Sequence, residues 1–168
     1  MNRPPFRAKK GFSICAVLLI ALGFLLRPCH AQAPHKKTDD LSNVQQELVR
    51  TEIGFFEAWK MKNQAYFREH IAENGISWGE SGTLSRDQQL QEQEAAAKVC
   101  KVEGYGLSDF GVLPLTAGAY LLTYKAEQYA TCNGEKIPIH INGSSVYILQ
   151  AGRWQAVYRA EVPLKNQS

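Results

Sequence analysis

Residues 99–132, VCKVEGYGLSDFGVLPLTAGAYLLTYKAEQYATC, decide the fold. Before Val99 apolar side chains recur every three to four residues; from there on they recur every two. Pro114 and Gly118 mark a turn inside the stretch, so it reads as two long strands folded back as a hairpin. With Leu113 facing Ala119, one face carries Val102, Gly104, Gly106, Ser108, Phe110 and Val112 against Tyr120, Leu122, Tyr124, Ala126, Gln128 and Ala130. The other face carries Lys101, Glu103, Tyr105, Leu107 and Asp109 against Thr123, Lys125, Glu127, Tyr129 and Thr131. The first set is apolar or small and points inward; the second is charged and points to solvent. The same register sets Cys100 opposite Cys132, where a cross-strand disulfide is expected, two buried free thiols being the alternative. A β-bulge would move the register by one.

Downstream, 139–150 and 153–162 read as two more strands, with turns at Asn133-Gly134 and Ala151-Gly152. A two-residue turn at Ala151-Gly152 pairs Leu149 with Trp154, Tyr147 with Ala156 and Ser145 with Tyr158. Val146, Ile148 and Val157 then fall on the opposite face. A sheet apolar on both faces is covered on both, which predicts a homodimer through the outer sheet face.

Upstream the period is helical. Leu41, Val44, Leu48, Phe55 and Trp59 share one face of a helix over 41–62. Asn63 caps a short second helix that Asn74-Gly75 closes, Ile76-Ser77-Trp78 is a short strand, and 79–82 turns. Ser85 with Gln88 is a capping box opening a third helix over 86–97. Helices first and an antiparallel meander afterwards make an α+β fold, N-terminal helices packed on a strongly bent sheet.

Residues 1–31 have the plan of a secretory signal peptide: Arg3, Arg7, Lys9 and Lys10, an apolar run from Phe12 to Leu26, and small residues at Ala31 and Ala33. Pro34 disfavours a cut after Ala33, so cleavage after Ala31 is expected, followed by a flexible tether over 32–40 and one domain over 41–163. An uncleaved anchor is the alternative, although the run is short for a span. The chain carries +3, but the leader holds five of the 19 Lys and Arg and none of the 16 Asp and Glu, so the mature chain is −2. Nucleic-acid binding loses its electrostatic basis, and no membrane association is expected after cleavage. The expected location is periplasmic or secreted.

The aromatic run Phe55-Phe56-Glu57-Ala58-Trp59, the helix around Tyr66-Phe67, Ile76-Ser77-Trp78, the Gly82-Thr83-Leu84-Ser85 turn and the closing Gly152-Arg153-Trp154 together resemble the nuclear transport factor 2-like superfamily. The similarity is to its SnoaL-like, ketosteroid-isomerase-like branch of small, mostly uncharacterised bacterial proteins. The resemblance implies a cone, a bent sheet wrapped around a helix with a pocket at the open end, and frequent homodimers.

Gly104, Gly106, Ser108 and Ala126 on the inner face leave space that either forms a cavity or is filled by Phe56, Trp59, Trp78 or Trp154. Expected pocket-lining residues are Trp59, Tyr66, Trp78, Ser108, Tyr124, Gln128 and Tyr158. Ketosteroid-isomerase-like enzymes use a carboxylate base with a tyrosine and a protonated acid. Here the register turns Asp109 and Glu127 outward, and Glu80 and His140 have no partner in reach. His70 and His140 are expected to be structural. No metal-ligand spacing occurs, so no metal or cofactor is expected. The leading reading is an exported protein that binds a small hydrophobic ligand without visible catalytic machinery. The alternatives are a SnoaL-like isomerase, cyclase or hydratase of a hydrophobic substrate, and a purely structural dimerisation module.

Overall fold

The structure, a computed structural model, describes residues 36–79 and 82–164, with side chains from residue 42 onward. The expected signal peptide and Glu80 lie outside the described residues. The first helix, α1 (Lys36–Met61), takes in the last five residues of the expected tether. Leu48, Glu52, Phe55, Phe56 and Ala58 are its buried positions, spaced three and four apart, so a single stripe faces the interior. Lys62, at φ 59°, and Asn63 close α1 by donating back to Trp59 O and Ala58 O. The chain then turns into α2 (Gln64–His70). Gly54 permits the close packing of these helices: a Cβ there would lie 2.0 Å from the Tyr66 hydroxyl, which donates to Thr51 O on α1.

Two strands follow, β1 (Ile71–Gly79) and β2 (Gly82–Ser85), longer than the short strand and turn expected there. Asn74-Gly75 falls inside β1, at a break in its pairing, and does not end α2. The capping box forms as read: Ser85 Oγ accepts from Gln88 N, Gln88 returns its side chain to Ser85 N, and α3 (Arg86–Val99) starts there. The meander comprises β3 (Cys100–Thr116), β4 (Ala119–Cys132), a two-residue β5 (Glu135–Lys136), β6 (His140–Gln150) and β7 (Arg153–Pro163). The sheet order is β2-β1-β7-β6-β4-β3, with β5 on β4, and the sheet curls strongly around the helices. It is mixed: β1 runs parallel to β7, because α3 and the meander intervene before the chain returns to that edge.

The β3–β4 register begins as expected and then drifts. Cys100 pairs with Cys132, and a disulfide joins them. Extra residues on β3 beyond Val102, beyond Ser108 (where Asp109 sits at φ 53°) and beyond Pro114 each advance it by one. Between the first two bulges the expected facing is therefore inverted. Tyr105 and Leu107 lie opposite Gln128 and Ala126 on the inner face, and Gly104, Gly106 and Ser108 lie opposite Tyr129, Glu127 and Lys125 on the outer. Nothing approaches a Cβ built on Gly104 or Gly106, so these glycines relieve no crowding and leave no inner hollow. The second bulge restores the phase at Val112, and the Asp109–Lys125 ion pair forms at 2.8 Å.

Candidate functional site

In the middle of the apolar stripe of α1 stands a fully buried carboxylate, Glu52. A buried charge costs several kcal/mol unless it is paired and hydrogen-bonded, and here it is both. Tyr124, on the inner face of β4, donates to its Oε1 at 3.0 Å. Tyr147, fully buried on β6, donates to Oε2 at 2.5 Å. Arg159, on β7, places Nη2 2.8 Å from Oε1 and lays its guanidinium 4.2 Å from the centre of the Phe55 ring. Glu161, two residues further along β7, joins the cluster through Oε1, 3.2 Å from the Tyr124 hydroxyl and 3.3 Å from Arg159 Nη2.

Arg159 and Glu161 reach the interior because of one extra residue. Up to Tyr147–Ala156 the last hairpin pairs as the two-residue turn dictates; Val157 is then unmatched, and Val146 faces Tyr158. Beyond this bulge Ser145 pairs with Arg159, not with Tyr158, and Gly143 pairs with Glu161. Unbroken alternation would have sent Tyr158 inward and the two charged residues outward. Gly143 provides the remaining space: a Cβ on it would lie 2.0 Å from Tyr124 Cζ, so the tyrosine ring occupies the place of a side chain on β6.

The cluster holds one positive charge, on Arg159, and two potential negative charges, on Glu52 and Glu161. Burial works against the charge of Arg159, but Glu52, Tyr124 and Glu161 more than restore it, and the guanidinium stays charged. Burial raises the Tyr147 and Tyr124 hydroxyls far above the ordinary phenol range. Burial also lifts the Glu161 carboxyl, Arg159 opposes this, Glu52 adds to it and the Tyr124 hydrogen bond subtracts from it; the net direction is upward. Because 40% of the Glu161 side chain remains open, water moderates that rise. Proton counting points the same way. Tyr124 has one proton for two carboxylates, and a protonated Glu161 donating to the Tyr124 oxygen while Tyr124 donates to Glu52 satisfies all three.

Two hollows open beside this cluster. One, of about 210 Å³, is walled by Phe55, Phe56, Trp59 and Phe67 with Ile137, and its polar groups are Gln93, Gln128, Arg159 and Glu161. The second, of about 260 Å³, shares Phe67, Gln93, Arg159 and Glu161 and extends over Ser77, Trp78, Gln89 and Glu92. Of the expected lining residues, Trp59 and Gln128 border the first hollow and Trp78 the second. Tyr124 lies behind Glu161 in the hydrogen-bonded cluster. Tyr66 instead lines a separate recess between α1 and α2. Tyr158 is half-buried opposite Val146, bordering neither hollow, and Ser108 is exposed on the outer face, displaced by the first β3 bulge. His70 stacks on Tyr66 at 3.8 Å, and His140 lies 3.7 Å from Glu127 at the surface, both away from the cluster.

Sequence reasoning passed over Glu52, Arg159 and Glu161. Glu52 could have been found: it follows Leu48 by four and precedes Phe55 and Phe56 by three and four, a carboxylate inside an apolar stripe. Arg159 and Glu161 gave no comparable signal, because their facing depends on a bulge that no residue announces.

No family model matches the chain, and no curated protein does. Solved structures do match it. A nuclear transport factor 2-like protein from Cytophaga hutchinsonii aligns over 70% of this chain and 95% of its own at 10% identity, with a TM-score of 0.62. A ketosteroid isomerase-like protein from Erwinia carotovora atroseptica covers 72% and 96% at 12% identity, TM-score 0.61. A proposed dehydratase of the nuclear transport factor 2-like family from Streptomyces avermitilis covers 74% and 98% at 13% identity, TM-score 0.61. At these identities the shared property is the fold, the α+β cone expected from the resemblance.

Proposed function

We propose that this cone takes up a small, ring-bearing hydrophobic molecule and that Glu161 exchanges a proton with it, in chemistry of the isomerase, cyclase or hydratase–dehydratase kind. One observation carries the reading: a carboxyl with a raised pKa, hydrogen-bonded to a buried tyrosine, stands on the wall of an aromatic hollow. General acid–base catalysis needs a group whose pKa is moved toward the working pH. Arg159 borders the same hollow and offers positive charge to a carbonyl or enolate oxygen. Glu161 as carboxylate takes a proton from the carbon next to that carbonyl and returns it to the same or a neighbouring carbon. Tyr124 and Glu52 hold the carboxyl in place throughout. Proteins with ketosteroid isomerase-like and dehydratase descriptions share this fold. Binding without chemistry, the simpler expectation, does not account for a titratable group at this wall.

The chain is further proposed to be exported and to form a homodimer through the outer sheet face. The disulfide suits an oxidising compartment. Val146 and Ile148, on the outer face of β6, are partly exposed and suit burial against a second copy. Sedimentation at micromolar concentration reads the subunit number, and a monomer overturns the dimer.

Butyrophenone tests the chemistry. In D2O the wild-type protein should speed deuterium entry at its α-carbon, followed by proton NMR, by about a hundredfold or more over buffer, the lower range for a positioned acid–base group. Glu161→Gln should lose the acceleration while still binding the ketone, read by Trp59 fluorescence. Binding by the wild type without acceleration would overturn the catalytic reading.

A further inference from the structure

Gln128 lies on the inner face of β4, 8% exposed, and borders the first hollow. We propose that its Oε1 accepts a hydrogen bond from a hydroxyl on the ligand's aromatic ring, so that the molecule in the hollow is a hydroxyaryl ketone. This rests on the acid–base reading of Glu161 above and adds the class of molecule it acts on.

The surroundings of the Gln128 amide fix its orientation. Its Nε2 donates to Pro138 O at 3.0 Å, and a backbone carbonyl can only accept, so the NH2 end faces the 137–139 segment. That segment is tied to β4 on both sides: Gln128 N donates to Ile139 O at 2.8 Å, and Ile137 N donates to Ala130 O at 3.2 Å. The amide oxygen is left on the other side. Three buried side-chain atoms lack a hydrogen-bond partner among the described residues, Gln64 Oε1, Ser145 Oγ and Arg159 Nε. Gln128 Oε1 also has none but is not one of the three, because it opens onto the hollow that the residue lines.

The hollow is walled by four aromatic rings, and at about 210 Å³ it exceeds the roughly 150 Å³ that admits a benzene ring. A bare ring seated there takes water from the Gln128 oxygen and leaves a buried acceptor unpaired. One acceptor asks for one donor, which a ring hydroxyl supplies. Arg159 presents the opposite chemistry. It spends Nη2 on Glu52 and Glu161, while its Nη1 makes no hydrogen bond among the described residues and can donate to a carbonyl oxygen. Tyr124, which holds Glu161, and Gln128 share the inner face of β4 four residues apart, about 13 Å of strand. The acceptor and the acid–base pair therefore border the hollow at separate points. A ring with a donor at one end and a carbonyl at the other matches both.

Butyrophenone and 4'-hydroxybutyrophenone form the test pair: the same aryl ketone without and with the ring hydroxyl. In calorimetry at pH 6 the hydroxy ketone should bind wild-type protein roughly three- to tenfold more tightly, the net effect of one hydrogen bond. Gln128→Met keeps the side-chain length and the backbone tie to Ile139 O but has no amide; it should abolish that preference while butyrophenone still binds. The absorbance of the bound phenol gives a reading that needs no variant. A phenol donating to a neutral amide oxygen is held in its protonated form, so its ionisation should move to higher pH than in buffer; against the Arg159 guanidinium it would move lower. A downward shift, equal affinity of the two ketones for the wild type, or a preference that survives in folded Gln128→Met overturns the hydroxyaryl assignment alone. Failure of both ketones to bind overturns it together with the reading of the site on which it rests.

Discussion

Glu52→Gln removes one charge from the centre of the cone and exchanges one acceptor oxygen for a donor NH2. Wild-type Glu52 accepts three hydrogen bonds, from Tyr124, Tyr147 and Arg159. The amide accepts at one oxygen only, so one partner is left facing a donor and Arg159 loses its nearest counter-charge. Breaking a buried ion pair by removing one member costs about 3–5 kcal/mol. Glu161, 3.3 Å from the same guanidinium nitrogen, takes up part of that deficit, which puts the expected loss near 3 kcal/mol. At a urea m-value of about 2 kcal/mol/M the midpoint falls by about 1.5 M. Glu52→Gln/Arg159→Gln should be no less stable than Glu52→Gln, because the uncompensated charge leaves with its partner. The pH profile gives a second reading. Glu161 has its folded pKa raised from 4.5, so above that value the unfolded chain sheds this proton before the folded one does. Stability contributed by this site therefore falls as pH rises from 4.5 through the folded pKa, opposite to a salt-bridged carboxylate. Glu52 contributes to the raise, so Glu52→Gln should flatten the decline in urea midpoints measured between pH 4.5 and 6.5. A loss below about 1 kcal/mol with the slope unchanged would refute the cluster as described.

Three further outcomes are expected. Gly143→Ala should cost about 1–3 kcal/mol by driving a Cβ into the Tyr124 ring, whereas Gly106→Ala, with open space around it, should not destabilise; thermal melts compare the two. Cys100→Ser/Cys132→Ser should lose on the order of 3–4 kcal/mol in non-reducing denaturant titrations, as expected for a closure of 32 residues in the chain-entropy account. His70 has its pKa lowered by burial, so below about 6.5 the unfolded chain gains a proton that the folded chain resists, and stability falls toward acid. His70→Phe, which retains an aromatic partner for Tyr66, should remove that component of the slope between pH 5 and 7.

The elements were legible because each carries a local signal: the stripe of α1, the capping box at Ser85, and Asn133-Gly134 and Ala151-Gly152 at hairpin turns. The disulfide was legible because it precedes every bulge, in the one part of the β3–β4 ladder that keeps its starting register. Ser108 was misplaced because a period of two cannot show where a strand carries an extra residue, and one extra residue inverts every facing beyond it. The same blindness hid Arg159 and Glu161. Glu52 was a different case, visible in the pattern but absorbed into its apolar neighbours; an acid inside an apolar helical stripe implies partners elsewhere in the chain.

The bulge at Val157 makes the lining of the cone a matter of counting as well as of residue identity. Were Val157 drawn into the ladder, Tyr158, Ala160 and Val162 would come to the inner face and Arg159 and Glu161 would turn to the outer without a change of any amino acid, whereas deleting Val157 would close the bulge and leave both charged residues facing in. The charge on this wall thus depends on where the ladder carries its extra residue as well as on which residues the chain supplies. When chains of this fold are compared position by position, a gap placed on the wrong side of the bulge assigns the role of Glu161 to a residue that faces away from the interior.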